Sequence, residues 1–419
     1  MKPGERNKGD SSFNKIRTFS SLQNPTFRLY FFGMLGQFAS MNMQMMSSSL
    51  LLYRLTDSAA LLGVMSLVMA VPMLFLSLFG GAIADRIQKK KILIMGLTCS
   101  AVLSLSIAVA LDTGYLSREN AGSWWIIMVI TFLQGTIMGL MMPARQAIIP
   151  EIVSKEQVMN AVALNALGMN VLRLFSPALA GFLIDAFDFE SVFYAMTLMN
   201  IYAVVFMFFI PPTGQTPARG GKLVADIREG FQYILREKIV LLVLFFNLIA
   251  VVFSMPYQQL LPVFIDDILK VSATEMGMLM SVSGGGAMVG SLILASLPNK
   301  KRGLIFLISC LISGVSLVLF SFSTSWFLSL AVIVFVGFGQ TGRMTMSNTL
   351  LQTYVEGKYM GRVMSVFNME WGLVSLGTFA AGLMAEAAGV QLVVGGFALV
   401  LTVLSILALF FVTRIRQLN

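Results

Sequence analysis

A chain of 419 residues that is 57% hydrophobic, only 12% charged and of mean hydropathy +0.82 has too few polar groups to solvate a folded surface in water and reads as a polytopic membrane protein. It has no histidine, and only Cys99 and Cys310, each inside an apolar run. Those absences exclude histidine general bases, histidine-held metal or haem, and a disulfide framework. The net charge of +9 would point to nucleic acid only if the bases lay on a soluble face, and they do not.

Residues 1–28 are polar and basic, with no short apolar core or small-residue cleavage site, so they read as a cytoplasmic tail and not as a removable signal. Crossing ~30 Å of hydrocarbon takes about 20 mostly apolar residues. Such runs predict twelve spans, near 29–52, 60–84, 92–111, 123–144, 158–186, 190–211, 239–264, 273–297, 303–322, 326–349, 361–386 and 390–412. A short turn must separate neighbours around Asp188 and near Thr324. Among the 29 Lys and Arg, only Arg54, Arg118 and Lys270 fall in loops on the outer side, and Arg173 and Arg343 fall within spans. The rest crowd the inner loops, which places both termini in the cytoplasm at a cell's inner membrane. The basic balance is therefore topology, the partner is the lipid bilayer, and no nucleic acid is expected.

Pro and Gly open the longest inner loop, Pro211 to Lys238, which then reads as an amphipathic helix with Leu223, Ile227, Phe231 and Ile234 on one face. The chain so divides into an all-α bundle of six helices at 29–211, a cytoplasmic linker at 212–238, a second six-helix bundle at 239–413 and a tail at 414–419. The stretch "AGFLID" (Ala180 to Asp185) recurs as "AGLMAE" (Ala381 to Glu386) at the outer ends of spans 5 and 11. Parallel halves of six helices are a transporter architecture.

Between spans 2 and 3, "GGAIADRIQKKK" sets an Asp-Arg pair and a basic cluster at the membrane surface, where charge avoids roughly 2.5–3.5 kcal/mol per residue of burial in hydrocarbon. It resembles the signature loop of the major facilitator superfamily, matched by Gly81, Asp85, Arg86, Lys89 and Lys90, with Gln88 in place of a second Gly. The resemblance implies that Asp85 rests on the start of span 11, against Gly361 and Arg362, and latches the halves at the cytoplasmic face. A carboxylate on a helix tip is worth about 0.3–1 kcal/mol. The plainer alternative is that these charges only orient the loop. The equivalent loop of the second half keeps Lys300, Lys301 and Arg302 but lacks the Asp-Arg pair.

"PARQAIIPEIVSKEQVMNAVALN" (Pro143 to Asn165) resembles the branch of that superfamily containing macrolide, multidrug and siderophore exporters. "RLFSPALAGFLI" (Arg173 to Ile184) is similar to the antiporter signature of span 5, with Pro177 and Gly181 in place for bending and close packing. Gly286 and Gly290 of span 8 offer it a partner face. In span 4, "TFLQGTIMG" keeps Gln134 and Gly135, but Thr131 stands where the family motif carries an Arg tied to proton coupling.

Arg173, Arg343 and Glu370 are the ionisable groups inside spans, and so the coupling candidates. At ~1.5 Å per residue Arg343 lies about 9 Å from the inner end, Glu370 about 13 Å and Arg173 about 22 Å, which makes Arg343 and Glu370 the plausible pair. Glu370 either carries a proton through the cycle or sits in a permanent ion pair. By resemblance spans 1, 4, 7 and 10 line the path. Their polar groups Gln37, Asn42, Gln44, Gln134, Asn247, Tyr257, Gln258 and Gln340 are substrate-binding candidates, or else helix-to-helix hydrogen bonds. "FASMNMQMMSSSL" (Phe38 to Leu50) brings Met-rich, uncharged surface suited to a bulky amphipathic ligand, or simply packing.

"GGKL" and "EGKY" lack the phosphate-loop pattern of an ATP-driven pump. The paired acids of "FIDDILK" (Phe264 to Lys270) have no His or second acidic cluster to make a membrane enzyme. The expectation is a monomeric secondary transporter, without cofactor or metal, exporting a small amphipathic molecule through an almost neutral cavity against proton entry. Nutrient symport and lipid flipping are the alternatives.

Overall fold

The structure, a computed structural model, describes residues 17–120, 122–212, 223–298 and 300–418, with side chains at 17–18, 77–86, 223–228 and 371 left outside the description. Among the described residues none is in a strand. Among the described residues twelve helices cross the bundle. In chain order these are α1 (Pro25–Thr56), α2 (Ala59–Arg86), α3 (Lys89–Asp112) and α4 (Trp125–Ile152). Val158–Phe208 is a continuous helical run broken at Asp188 (φ 66°, ψ 176°), which gives α5 (158–187) and α6 (189–208). The second half holds α7 (Lys238–Gln259), α8 (Ala273–Ser296), α9 (Arg302–Ser321), α10 (Trp326–Tyr354), α11 (Met360–Ala388) and α12 (Val390–Phe411).

The expected turn at Asp188 is made by one left-handed residue, steadied by Ser191 Oγ donating to the carbonyls of Asp188 (2.7 Å) and Leu183 (3.1 Å). Helix starts follow local chemistry. Asn24 accepts from the amides of Thr26 and Phe27 ahead of Pro25, and Ser272 with Glu275 forms a reciprocal cap on α8. Two spans are interrupted: α7 near Met255, where Pro256 breaks the ladder, and α11 at Met369. Irregular backbone at membrane depth is tolerated only inside protein or beside a water-filled path.

The described residues enter α1 and leave α12 on one face of the bundle, here the terminal face, and the opposite end is the distal face. At the distal end one buried cluster joins the halves, with Leu50, Tyr53 and Phe193 packed against Leu260, Phe264 and Ala273. At the terminal end two separate clusters remain, one around Phe27, Tyr30 and Ile148, the other around Val240, Phe306 and Leu350. The linker helix (Leu223–Arg236) packs on the second half. Tyr233 stacks on Tyr359 at 4.2 Å and accepts from the Glu356 amide at its hydroxyl (3.1 Å). Its buried face is Gly230, Tyr233 and Ile234, whereas Phe231, expected on that face, is 55% exposed.

α5 and α8 do cross closely, through Gly181 and Gly277, not through the glycines expected of α8. A Cβ on Gly181 would lie 2.2 Å from the Ala273 carbonyl oxygen, and one on Gly277 would lie 2.3 Å from that of Pro177. Gly286 and Gly290 instead face α10, against Val334 and Phe338. The glycines of "SGGGAMVGS" occupy two faces, and spacing alone does not say which neighbour each face meets. Gly181→Ala is expected to cost roughly 1–3 kcal/mol, because a backbone carbonyl cannot step aside. A lowered melting temperature relative to wild type checks this, with Gly396→Ala, where nothing lies within 4 Å, unchanged.

Candidate functional site

The distal seam is held by side chains that cross between the halves. Tyr53, at the end of α1, donates to Asp267 (2.5 Å), and Arg54 forks onto Asp266 with two bonds of 3.1 Å. The acids of "FIDDILK" are therefore seam residues. Asp185, at the end of α5, accepts from the amides of Ala273 (3.2 Å) and Thr274 (2.7 Å) and from the Thr274 hydroxyl (2.5 Å), at the N-terminus of α8. Glu386, at the end of α11, accepts from the Ala60 amide (3.1 Å) and Ser58 Oγ (3.2 Å), at the N-terminus of α2. Helix N-termini present unpaired N–H groups and a positive dipole end, so each carboxylate has a charge-matched seat in the opposite half.

These two seats are the two copies of one sequence repeat. Gly181 lies against Ala273 and Thr274, four residues before Asp185. Gly382 lies against Ala59 and Gly63, four residues before Glu386. On a helix that spacing puts glycine and acid on one face. The glycine lets the partner helix approach, and the acid caps its first turn.

At the terminal end the expected latch is only partly visible. Gly81, Asp85 and Arg86 have side chains outside the described residues, so the seat of Asp85 is not part of the description. Lys89 is buried and bridges to Glu151 at 2.6 Å, tying α3 to α4. Lys90 donates to the carbonyls of Phe208 (2.7 Å) and Ile210 at the end of α6. Among the described residues nothing lies within 4 Å of a Cβ built on Gly361, and Arg362 pairs with Glu229 of the linker helix at 2.9 Å.

Inside the second half, Arg343 and Glu370 come together as expected. Arg343 Nη1 donates to Asn247 Oδ1, Asn247 Nδ2 donates to Glu370 Oε2, and Arg343 Nη1 lies 3.9 Å from the same carboxylate oxygen. Asn247 is thus the bridge of a buried trio. Helices longer than expected bring the two charges to one depth: about 16 Å from Tyr354 for Arg343 and about 15 Å from Met360 for Glu370. Glu370 heads the outer piece of α11, just past the break at Met369, where the helix dipole favours an anion. Arg343 Nε is buried without a partner, so the network is incompletely satisfied.

The other polar candidates divide. Gln258 donates to Gln340 at 3.4 Å, joining α7 to α10, and Gln340 Nε2 is buried and unpartnered. Tyr257 is 3% exposed beside Gln258. Gln134 donates to Ser100 Oγ across α3 and α4, and Asn42 bonds back to its own helix at Phe38. Gln37 donates weakly to Met141 Sδ and leaves its Oε1 buried and unpaired, while Gln44 is half-buried. Met34, Met43 and Met46 are fully buried packing, and Met45 is exposed.

Two findings differ from the sequence reading. Arg173 is exposed and takes no part in the Arg343–Glu370 trio. Arg145, expected in an inner loop, belongs to α4, which continues through Pro143 to Ile152. Its guanidinium lies 5.3 Å from the Phe38 ring centroid, and its carbonyl accepts from the Tyr30 hydroxyl. Arg145 is therefore a cation within a span, where the sequence predicts a loop. A groove of about 920 Å³ between α1, α5 and α6, lined by Leu35, Ala39, Leu172, Phe175 and Leu198, contains none of these polar groups.

The family model for the Major Facilitator Superfamily matches residues 30–378. The chain belongs to that superfamily. This member is a multi-pass membrane transporter and not an enzyme. Among curated relatives it is 24% identical to the staphyloferrin A transporter of Staphylococcus aureus over 80% of this chain and 83% of the relative. It is 22% identical to macrolide efflux protein A of Streptococcus pyogenes, over 85% and 89%, and 25% identical to the enterobactin exporter EntS of Shigella boydii, over 81% and 80%. A solved POT family transporter in complex with 5-aminolevulinic acid shares the fold at TM-score 0.75 and 14% identity, over 94% of this chain and 97% of that one.

Proposed function

We propose that this transporter exports a small amphipathic molecule from the cytoplasm by alternating access, driven by proton entry. The observation that supports the reading is the asymmetry of the seam among the described residues, joined across the halves at the distal face by Tyr53, Arg54, Asp185 and Glu386 and divided into two cores at the terminal face. The basic inner loops support a cytoplasmic terminal face, and on that orientation this arrangement loads from inside. In this reading the cytoplasmic seam closes with Asp85 against Gly361 and Arg362, and Arg362 also pairs with Glu229 of the linker helix.

The relatives named for macrolide efflux and enterobactin export support the outward direction. Glu370 is the proton carrier of this reading. It is 6% exposed, and Arg343 and Asn247 face it from α10 and α7. Gln258, Gln340, Gln37 and Gln44 supply hydrogen bonds to the passenger. Everted membrane vesicles loaded through this protein are expected to accumulate amphipathic substrate when their interior is acidified and to lose it when the gradient is collapsed. Accumulation that ignores the gradient overturns the proton-driven reading, and accumulation in right-side-out vesicles instead indicates uptake.

A further inference from the structure

Arg173 lies fifteen residues into α5, about 22 Å from its inner start, too deep for its side chain to reach the membrane surface. Among the described residues it makes no ion pair and no hydrogen bond, yet it is exposed. The helix shows where that exposure leads. α5 meets α8 along Pro177 and Gly181 and meets α1 at Gly168. A different face carries Val171, Phe175 and Phe182, large apolar groups suited to lipid. The stripe that meets α8 at Pro177 and Gly181, and at Gly284 beside the Arg173 backbone, continues toward the terminal face as Arg173, Asn170 and Ala166, three and four residues apart and all exposed where the halves diverge. A bare guanidinium at this depth belongs on the polar face, toward the path between the halves.

The position is also the blind end of that path. Ala180 and Ile184, two and three turns beyond Arg173, are buried in the core shared by the halves. At the same depth in the second half, about 21 Å from Tyr354, stands Gln340, which is 5% exposed with its Nε2 unpartnered. Nearer the terminal face, about 10 Å from Ile152, Arg145 has a ring and a tyrosine for neighbours but no carboxylate. Three arginines thus lie within the spans against one carboxylate at such depth among the described residues, Glu370, and that one is committed to Arg343.

We propose that Arg173 anchors an anionic group of the transported molecule, which makes the passenger an amphipathic organic anion, a carboxylate, sulfonate or phosphate on an apolar body. A planar guanidinium matches such groups with two parallel hydrogen bonds. Arg145 draws the anion in from the terminal face, and Gln340 adds a neutral donor across the path. The proposal rests on the transport reading above and narrows its substrate class.

The test is equilibrium binding to the full chain in lipid nanodiscs, with empty nanodiscs subtracted. The probes are 1-pyrenebutyrate and 1-pyrenebutyltrimethylammonium, which share one apolar body and differ in charge. Wild type is expected to bind the anion in preference to the cation. Arg173→Gln is expected to weaken the anion at least about tenfold, Arg173→Lys to retain most of the affinity, and Arg173→Glu to reverse the preference. Because Arg173 has no partner to orphan, Arg173→Gln should melt with wild type; the reversal by Arg173→Glu reads the charge even if one variant is less stable. Equal binding of both probes, or anion affinity unmoved in Arg173→Gln and Arg173→Glu, overturns the proposal. Binding is read without a gradient, so failure of proton-driven export leaves this result standing, and failure here leaves export standing.

Discussion

Neutralising the two distal carboxylates together, Asp185→Asn with Glu386→Gln, is expected to swing the transporter toward its distal-open state. Each carboxylate accepts charge-assisted hydrogen bonds from the first turn of a helix in the other half: three for Asp185, two for Glu386. Both carboxylates are exposed, so each helix-end contact is worth about 0.3–1 kcal/mol. Each substitution then shifts the balance between the two states roughly two- to fivefold. The two sites lie on different helix pairs and share no partner, so their effects should add. Spin labels at exposed positions on the distal ends of α5 and α8, and of α2 and α11, give the readout. The double variant should lengthen both distances, and each single variant chiefly its own pair. Unchanged distances in the double variant would show that the apolar core around Tyr53 and Phe264 closes the seam without them.

The pairing of Gly181 with Asp185, and of Gly382 with Glu386, explains why one short pattern serves both halves. Closing the distal seam needs two things from each helix pair, a backbone approach that only a small residue permits and a charge to meet the exposed amides there. A glycine and an acid four residues apart supply both from one face. The two halves therefore lock each other reciprocally: α5 of the first half caps α8 of the second, and α11 of the second caps α2 of the first. At the terminal face the sequence keeps an Asp-Arg pair in only the first half, so the two ends of the path are closed by devices of different symmetry.

Most of the architecture was legible in the sequence because hydrocarbon imposes it. Apolar runs of membrane length and the turns at Asp188 and near Thr324 appear where expected. What periodicity does not carry is the identity of a neighbour. Gly286 and Gly290 were expected against α5 and lie on α10, since a small-residue face fits either partner. "AGFLID" and "AGLMAE" were visible as a repeat but not as capping acids, because the amides they cap start helices far away in the chain. Arg145 was placed in a loop because Pro143 and a charge together look like a span end. The helix continues there because Phe38 and Tyr30 of α1 cover the arginine. That misplacement is also why the interior was expected to be nearly neutral.

Glu370→Gln is expected to abolish proton-driven accumulation while leaving downhill exchange of substrate. The single variant also removes the only carboxylate near Arg343, and an uncompensated buried charge typically costs about 3–5 kcal/mol, so a lowered melting temperature is expected with it. Loss of function and loss of stability would then be confounded. The double variant Glu370→Gln with Arg343→Met separates them. It removes both charges, and replacing a buried pair by neutral groups of similar volume is often neutral or stabilising. If Glu370 carries the proton, the double variant melts near wild type and remains uncoupled. A permanent ion pair predicts the opposite, with stability and pH-driven accumulation returning together. Asn247 refines the distinction. It accepts from Arg343 and donates to Glu370, so Asn247→Ala leaves both charges in place and removes only the bridge. Under the proton-carrier reading it should move the pH midpoint of transport, whereas a structural pair should lose stability and keep its midpoint.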